Sequence, residues 1–264
     1  MKKFAIAYNK NIEHSTEAMT ELKFVLEQNN IQPELLDIDN LKEGYHFVFV
    51  IGGDGTILKS ARFYAKYSTP IFGINLGRLG FLSQCARSDI KPSVEKILNG
   101  NYRIEDRIML QSGGKLALND FVVKGSSTGR TSKFSLKIND KLVCDYLADG
   151  IIITTPTGST AYGLSAGGPV IAPALNAFVI VPICPHTLTA RPIVIPDNEK
   201  ITISAGNPDL HYVASTDGQE FYEFKSEIDI RKSDYTAKLA LLDGVEFYSV
   251  LKDKLHWGTS PANI

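Results

Sequence analysis

A run of apolar residues from Phe47 to Ile51, followed at once by Gly52-Gly53-Asp54-Gly55-Thr56, restricts the fold of this chain more than any other feature. A strand that is apolar at every position is typical of a parallel sheet that helices cover on both faces. In such open sheets, ligands bind at the carboxyl ends of the strands. The glycines let backbone N–H groups approach phosphate oxygens, and the N-terminus of a following helix favours negative charge. The segment predicts a phosphate-binding turn; the alternative interpretation is an ordinary strand-to-helix turn.

The first hundred residues alternate between strand and helix patterns, which indicates an open, Rossmann-like α/β sheet. Ser15 or Thr16 is a candidate cap for the first helix, whose apolar residues recur at helical spacing. The predicted strands are 4–8, 35–38, 47–51 and 70–74, and the other predicted helices are 57–66 and 92–98. We therefore predict an α/β domain over residues 1–100.

After Gly100 the pattern changes to short β-rich runs separated by turn residues such as Asn139-Asp140 and Asp217-Gly218. These runs predict an all-β, sandwich-like domain over residues 101–245. The remaining residues, 246–264, form a tail that either continues the β domain or packs back on the first domain.

Composition excludes several classes of protein. The chain has 264 residues with 28 Lys and Arg against 29 Asp and Glu, so it offers no global cationic field for nucleic acid. Its apolar runs are far shorter than the roughly 20 residues of a membrane-spanning helix, and the N-terminal segment does not resemble a signal peptide. We expect no nucleic-acid or membrane partner, a cytoplasmic location, and reduced thiols at Cys85, Cys144 and Cys184.

The GGDGT segment differs from the GxGxxG fingerprint and from the GxxxxGK[ST] loop. Its aspartate, Asp54, can accept a proton from an attacking hydroxyl or help to hold Mg²⁺. The segment resembles the motif shared by NAD kinases, diacylglycerol and sphingosine kinases and, with Ser in the last place, phosphofructokinases. By itself it indicates only that superfamily.

A second motif runs from Asp149 to Pro169, where a strand is followed by a loop rich in hydroxyls and glycines. Such a loop suits ribose, amide and phosphate groups, but a capped turn with Tyr162 in the core fits the residues equally well. The order DG…TPTGSTAYGLSAGGP resembles the long second motif of NAD kinases.

Shorter segments resemble the same family in order and spacing. Asn119-Asp120 matches an Asn-Glu pair that grips adenosine, although Asp120 is one methylene shorter than Glu. The other matching segments are 75–82, which contains Phe81, 182–192 and 217–219. Lys59 and Arg130 fall where the family often has basic residues, whereas Leu147 replaces another one.

The resemblance implies transfer of the γ-phosphoryl group of ATP to the 2′-hydroxyl of the adenosine ribose of NAD, with Asp54 as base and Mg²⁺ accompanying ATP. It implies a phosphate loop of Gly52, Gly53, Gly55 and Thr56. It also implies NAD contacts from Asp54, Gly55, Lys59, Phe81, Asn119, Asp120, Arg130, Asp149, Thr157, Thr160, Ala161, Tyr162, Gly163, Leu164, Ser165 and Gln219. The family suggests a homodimer or homotetramer. A lipid kinase with the same loop and a non-catalytic NAD(P) sensor are the alternatives.

Overall fold

A computed structural model describes residues 2–77, 80–125, 131–187, 189–206, 211–244 and 246–256. It divides into two compact units. Met1–Asp106 with Ala237–Ile264 is here named the α/β unit, and Arg107–Thr236 is named the β unit.

The helices are α1 (Ser15–Gln28), α2 (Asp54–Ala65), α3 (Ile90–Leu98), α4 (Tyr162–Ser165) and α5 (Phe247–Leu255), with 3₁₀ turns at Arg87–Asp89 and Thr157–Thr160. The strands are β1 (Phe4–Tyr8), β2 (Glu34–Asp37), β3 (Phe47–Ile51), β4 (Ile71–Asn75), β5 (Cys85–Ala86), β6 (Arg103–Ser112), β7 (Lys115–Ala117), β8 (Asp120–Gly125), β9 (Ser132–Ile138), β10 (Lys141–Ala148), β11 (Gly150–Thr154), β12 (Ala177–Ile183), β13 (Ile193–Pro196), β14 (Ile201–Ala205), β15 (Tyr212–Thr216), β16 (Glu220–Phe224) and β17 (Glu227–Leu241). Among the described residues, no helix is long and apolar enough to cross a membrane.

The α/β unit is built on a parallel sheet with β3 near its middle. The strand order is β2-β1-β3-β4, and β4 pairs in parallel with the end of β17 at Leu239 and with β5. Every residue of β3 is buried. Phe49 packs in one apolar cluster with α1 and α3, while α2 lies against the other face, where Ile57 meets Gly73. The open α/β sheet is as predicted.

Two details of the helices differ from the sequence expectation. Helix α1 begins at Ser15, and its N-cap is His14 in a left-handed conformation (φ 61°) without a side-chain cap hydrogen bond. Neither Ser15 nor Thr16 caps it, because Ser15 is already inside the helix and buried. Helix α2 begins at Asp54, three residues before the expected start, because Gly53 has the extended conformation of an N-cap (φ −77°, ψ 180°).

The β unit is a sandwich of antiparallel strands. One sheet has the order β10-β9-β14-β17 and the other has the order β13-β12-β11-β8-β15-β16. A single apolar cluster takes side chains from both sheets, including Phe121 and Tyr212 from one and Phe134 and Ile203 from the other. The rings of Phe134 and Tyr212 meet edge to face with centroids 5.6 Å apart. The all-β, sandwich-like prediction is confirmed.

Replacement of Phe49 by alanine tests the importance of the buried strand β3. The side chain is fully buried, and removal of a buried ring leaves a cavity, so we expect Phe49→Ala to lower the free energy of unfolding by about 3–5 kcal/mol in urea denaturation. The matched control is Phe24→Ala, since Phe24 lies on α1 with 60% of its surface exposed, and we expect a change below about 1 kcal/mol. Equal losses in the two variants would contradict this account of the core.

Candidate functional site

The glycine-rich turn joins the carboxyl end of β3 to the first turn of α2. Gly52 donates its amide to the Ile74 carbonyl at 2.9 Å, which ties the turn to β4. A Cβ on Gly52 would overlap the side chain of Thr56, 2.7 Å from its Cβ. A side chain on Gly53 would meet nothing within 4 Å. Gly53 and Gly55 are exposed, so backbone of this turn is accessible at a helix N-terminus, as anion binding requires.

The carboxylate of Asp54 is held by a segment that lies 27 residues further along the chain. The Phe81 amide donates to Oδ2 at 3.2 Å and the Leu82 amide donates to Oδ1 at 3.4 Å. A Cβ on Gly80 would overlap the same carboxylate, 2.7 Å from its Cγ. A carboxylate has about four lone-pair sites. The two amides therefore orient Asp54 while leaving it lone pairs with which to accept a proton.

Two other predicted residues lie in the α/β unit. Lys59 projects from α2 and forms an exposed ion pair with Asp39, with Nζ 2.5 Å from Oδ1. Phe81 is half-buried, and its ring centroid lies 6.5 Å from that of Phe247 on α5. Among the described residues, Lys59 therefore pairs with Asp39 and not with Asp54.

The β unit contains a pocket of about 480 Å³. Four predicted residues line it: Asn119, Asp120, Ala161 and Tyr162. The other lining residues are Val122, Lys124, Gly125, Val213, Ser215, Asp217, Gly218 and Phe221. Polar, charged and aromatic groups therefore converge on one concave surface, which is typical of a small-molecule site.

Strand register explains why these residues share a surface. Val122 pairs with Ser215 and Lys124 pairs with Val213 across β8 and β15. Because side chains alternate between the faces of a strand, Asp120 lies on the same face as Val122 and Lys124. The intervening residues of β8 face the sandwich core. The pocket therefore lies on the outer face of this sheet.

Tyr162 is part of the pocket and not of the core. Its side chain is 39% exposed. Lys124 Nζ lies 3.2 Å from its hydroxyl and 5.1 Å from its ring centroid. The ring therefore presents an aromatic face at the pocket wall, with a cation beside it.

The hydroxyl-rich loop is anchored to the Asn119 backbone. Thr155 N and Thr154 Oγ1 donate to the Asn119 carbonyl at 2.9 and 3.0 Å. A Cβ on Gly158 would overlap that carbonyl. Thr157 is buried, and its Oγ1 accepts a hydrogen bond from Arg107 Nη1 at 3.2 Å. The alternative of Thr157 or Ser159 as the N-cap of this turn is wrong, because the N-cap is Pro156. The Gly158 amide in the first turn donates instead to Thr155 Oγ1 at 3.1 Å.

The remaining predicted residues are distributed around this loop and the nearby turns. Thr160 ends the 3₁₀ turn, and its hydroxyl lies 3.4 Å from the Thr157 carbonyl. Gly163, Leu164 and Ser165 belong to α4. Asp149 is exposed between β10 and β11, and Gln219 is exposed in the turn before β16. Arg130 lies outside the described residues.

Burial perturbs the titration of Asp120. The residue is only 5% exposed, and this burial, together with the nearby charge of Asp217, raises its pKa to about 7. A low-dielectric environment disfavours the ionised carboxylate, and a second carboxylate disfavours it further. Such perturbation is common at functional sites.

Sequence reasoning missed several pocket residues, among them Lys124, Ser215 and Phe221. Lys124 could have been found from Asp120, because residues two and four positions along a strand share its face. Ser215 and Phe221 belong to other strands, so only the sheet pairing brings them to Asp120.

The described residues contain no group of three or more His, Cys, Asp or Glu side chains that could hold a metal ion. Mg²⁺ usually binds through one or two carboxylates, substrate phosphates and waters. Asp54 is the carboxylate of the glycine-rich turn, so the residues fit an ion that arrives with a nucleotide rather than one held in a protein cage.

The fold and these two regions together indicate a class of enzyme. The α/β unit carries a glycine-rich turn with an oriented carboxylate, and the β unit carries a polar and aromatic pocket. These are features of a phosphotransferase of the GGDGT type. Two family descriptions match the chain: ATP-NAD kinase N-terminal domain over residues 4–102 and ATP-NAD kinase C-terminal domain over residues 118–242. The chain belongs to the NAD kinase family.

Relatives and solved structures agree with this assignment. The NAD kinase of Caldanaerobacter subterraneus subsp. tengcongensis is 37% identical, with 97% of this chain and 99% of that protein covered. The NAD kinase of Clostridium botulinum is 42% identical, with 80% of this chain and 78% of that protein covered. An NAD kinase from Archaeoglobus fulgidus in complex with ATP superposes with a TM-score of 0.81 at 27% identity, over 96% of this chain and 98% of that one. Yeast NADH kinase complexed with NADH shares the fold, with a TM-score of 0.86 at 21% identity, over 98% and 89% of the two chains.

Replacement of Asp120 by asparagine tests its raised pKa. The pKa of Asp120 in the folded state, about 7, is above that of an aspartate in the unfolded state. Between these two pKa values the folded state therefore binds more protons than the unfolded state. The free energy of unfolding of the wild type falls as the pH rises through this range. We expect Asp120→Asn to remove this fall, a relative gain of about 2–4 kcal/mol between pH 4.5 and pH 8.5 in urea denaturation.

The control for this experiment is Asp140→Asn, the same change at a side chain that is 78% exposed. We expect this variant to keep the pH dependence of the wild type. An Asp120→Asn protein with the same pH dependence as the wild type would show that Asp120 titrates normally.

Proposed function

We propose that this chain transfers the γ-phosphoryl group of ATP to the 2′-hydroxyl of the adenosine ribose of NAD, which yields NADP and ADP. The observation that carries the proposal is the fixed carboxylate of Asp54 at the start of α2, in a chain that both NAD kinase domain descriptions match. Those matches cover the β unit as well as the GGDGT turn, which favours this function over a lipid kinase.

In this proposal Asp54 is the general base. Phosphoryl transfer requires mainly positioning and stabilisation of charge. The amides of Phe81 and Leu82 fix the carboxylate, which takes the proton of the attacking hydroxyl. In the phosphate loop of Gly52, Gly53, Gly55 and Thr56, the exposed backbone of Gly53 and Gly55 faces the phosphates. Gly52 and Thr56 shape the turn, since the Gly52 amide donates to the Ile74 carbonyl and the Thr56 amide donates to the Gly53 carbonyl. Mg²⁺ that accompanies ATP would supply positive charge against the phosphates.

The β unit supplies the contacts for the adenosine half of NAD. Asn119 and Asp120 offer an amide and a carboxyl group for hydroxyls and ring nitrogens, and Tyr162 offers an aromatic face. The proposed dinucleotide contacts also include residues of the second motif, nearby turns and the first domain. These are Thr157, Thr160, Ala161, Gly163, Leu164, Ser165, Asp149, Gln219, Phe81, Lys59 and Arg130.

The proposal includes a cytoplasmic location and a homodimer or homotetramer. Apolar side chains are exposed on two edge strands of the β unit, Leu142 and Val143 on β10 and Ile193 and Val194 on β13. Exposed edges with apolar side chains favour pairing with another chain. Sedimentation analysis of the purified protein measures the oligomeric state directly.

Replacement of Asp54 by asparagine tests the proposed base. Asparagine keeps one carbonyl oxygen for the backbone amides but cannot take the proton, so we expect kcat for NADP formation to fall by about 10²–10⁴-fold, with NAD binding retained. NADP is measured with NAD, ATP and Mg²⁺ as substrates. The control is Asp243→Asn, at a side chain that is 90% exposed, and it should keep wild-type turnover. Near-normal turnover in Asp54→Asn would rule out the base assignment.

Replacement of Gly80 by alanine tests whether the position of Asp54 matters. The added Cβ would overlap the Asp54 carboxylate, and displacement of a catalytic group by about 1 Å can cost about 10²-fold in rate, so we expect kcat to fall by about 10–100-fold. Gly77→Ala is the matched control in the same loop, since a Cβ there meets nothing within 4 Å. Equal kcat values for the two variants would show that the contact with Gly80 does not set the rate.

A further inference from the structure

Asp217 occupies the turn between β15 and β16 in a left-handed conformation. Its φ is 50° and that of Gly218 is 64°. The turn is closed by Gln219 N, which donates to the Thr216 carbonyl at 2.9 Å. Aspartate and asparagine are among the few residues that tolerate this conformation. The backbone thus fixes the direction in which the side chain leaves the turn.

The Asp217 carboxylate accepts hydrogen bonds from three successive backbone amides. Oδ2 accepts from Leu118 N at 3.1 Å, and Oδ1 accepts from Asn119 N at 2.7 Å and from Asp120 N at 3.2 Å. Asp217 also donates its own amide to the Asp120 carbonyl at 2.9 Å. Convergence of successive N–H groups on one anionic group is the arrangement by which a backbone nest binds an anion, and hydrogen bonds to an ionised acceptor are about twice as strong as neutral ones.

The opposite edge of the same segment is held by the end of β11. The Leu118 carbonyl accepts from Thr155 Oγ1 at 2.5 Å, and the Asn119 carbonyl accepts from Thr155 N at 2.9 Å. The amides of residues 118–120 therefore face Asp217, and the carbonyls of Leu118 and Asn119 face β11. Asp217 therefore holds the amide edge of this segment, and the hydroxyls of Thr154 and Thr155 hold its carbonyl edge.

We propose that Asp217 is a positioning residue for the dinucleotide, which holds Asn119 and Asp120 in their binding orientation through its three backbone hydrogen bonds. This inference rests on the proposed function for the measurement of KM and kcat, whereas the Kd for NAD is measured without turnover. Asp217 acts through the 118–120 segment and takes no part in the transfer of the phosphoryl group.

The negative charge of Asp217 also acts on the carboxyl group of Asp120. After burial, the charge of Asp217 is the cause that raises the pKa of Asp120. The other titratable groups that line the pocket with Asp120 are Lys124 and Tyr162. Removal of the Asp217 charge therefore lowers the pKa of Asp120 and moves any pH-dependent step of NAD binding to lower pH.

The principal test is Asp217→Asn, because asparagine keeps the preference for the left-handed turn and changes only the carboxylate. One acceptor oxygen becomes an NH₂ group that faces backbone N–H groups. We expect the Kd for NAD from calorimetry and the KM for NAD to rise at least about tenfold, while kcat and the KM for ATP change less than about threefold. We also expect the midpoint of NAD affinity against pH to move to lower pH, which a purely structural role would not cause.

The matched control is Asp140→Asn. Asp140 has the same left-handed conformation (φ 64°) in another hairpin turn of the β unit, and it pairs with Lys200 at the surface. Its variant should match the wild type in every one of these measurements.

A second variant, Asp217→Glu, separates position from charge and decides the test if Asp217→Asn does not fold. It keeps the negative charge but lengthens the side chain by one methylene, so we expect weaker NAD binding with an unshifted pH midpoint. Wild-type affinity for NAD in either folded variant overturns the proposal, and so does an unshifted midpoint in Asp217→Asn. Failure of the wild type to form NADP would contradict the proposed function alone, since NAD affinity is measured without turnover.

Discussion

Hydrogen bonds from backbone amides to carboxylates organise both regions of the candidate functional site. In the α/β unit, two amides of one loop hold Asp54. In the β unit, three amides of one segment surround Asp217. Backbone N–H groups are fixed by the fold and do not titrate, so they orient a carboxylate without a partner that could exchange protons with it.

These contacts require close approach of backbone, and the glycines differ in how they permit it. Gly52 is needed because Thr56 packs against it, whereas Gly53 has open space around it and leaves the start of α2 accessible. Gly80 and Gly158 lie outside the GGDGT segment, yet a Cβ on either would overlap a group that the site depends on. A glycine within the GGDGT segment can therefore leave backbone accessible, whereas a glycine far from that segment makes room for a group of the same site.

The sequence predicted the fold class because β3 is apolar throughout and the residues after Gly100 form β-rich runs separated by turn residues. It did not predict the start of α1. Ser15 and Thr16 are residue types that often cap helices, but the N-cap is His14, because its backbone has the left-handed conformation at this position. The sequence predicted Asn119, Asp120, Ala161 and Tyr162 as site residues, and all four line one pocket. It did not identify Lys124, Ser215 or Phe221, because they reach that pocket through strand pairing rather than through a motif.

The sequence by itself determined which chemical groups are present and where along the chain they stand: a glycine-rich turn with Asp54 after a buried strand, and hydroxyl, amide and aromatic groups in the second half. Only the tertiary structure decided what these groups meet. The partners of Asp54 lie 27 and 28 residues away, and those of Asp217 lie 97 to 99 residues away. The raised pKa of Asp120 has the same origin. Burial and the nearness of two carboxylates are properties of packing, and local sequence patterns carry no information about which distant amides and charges that packing brings together.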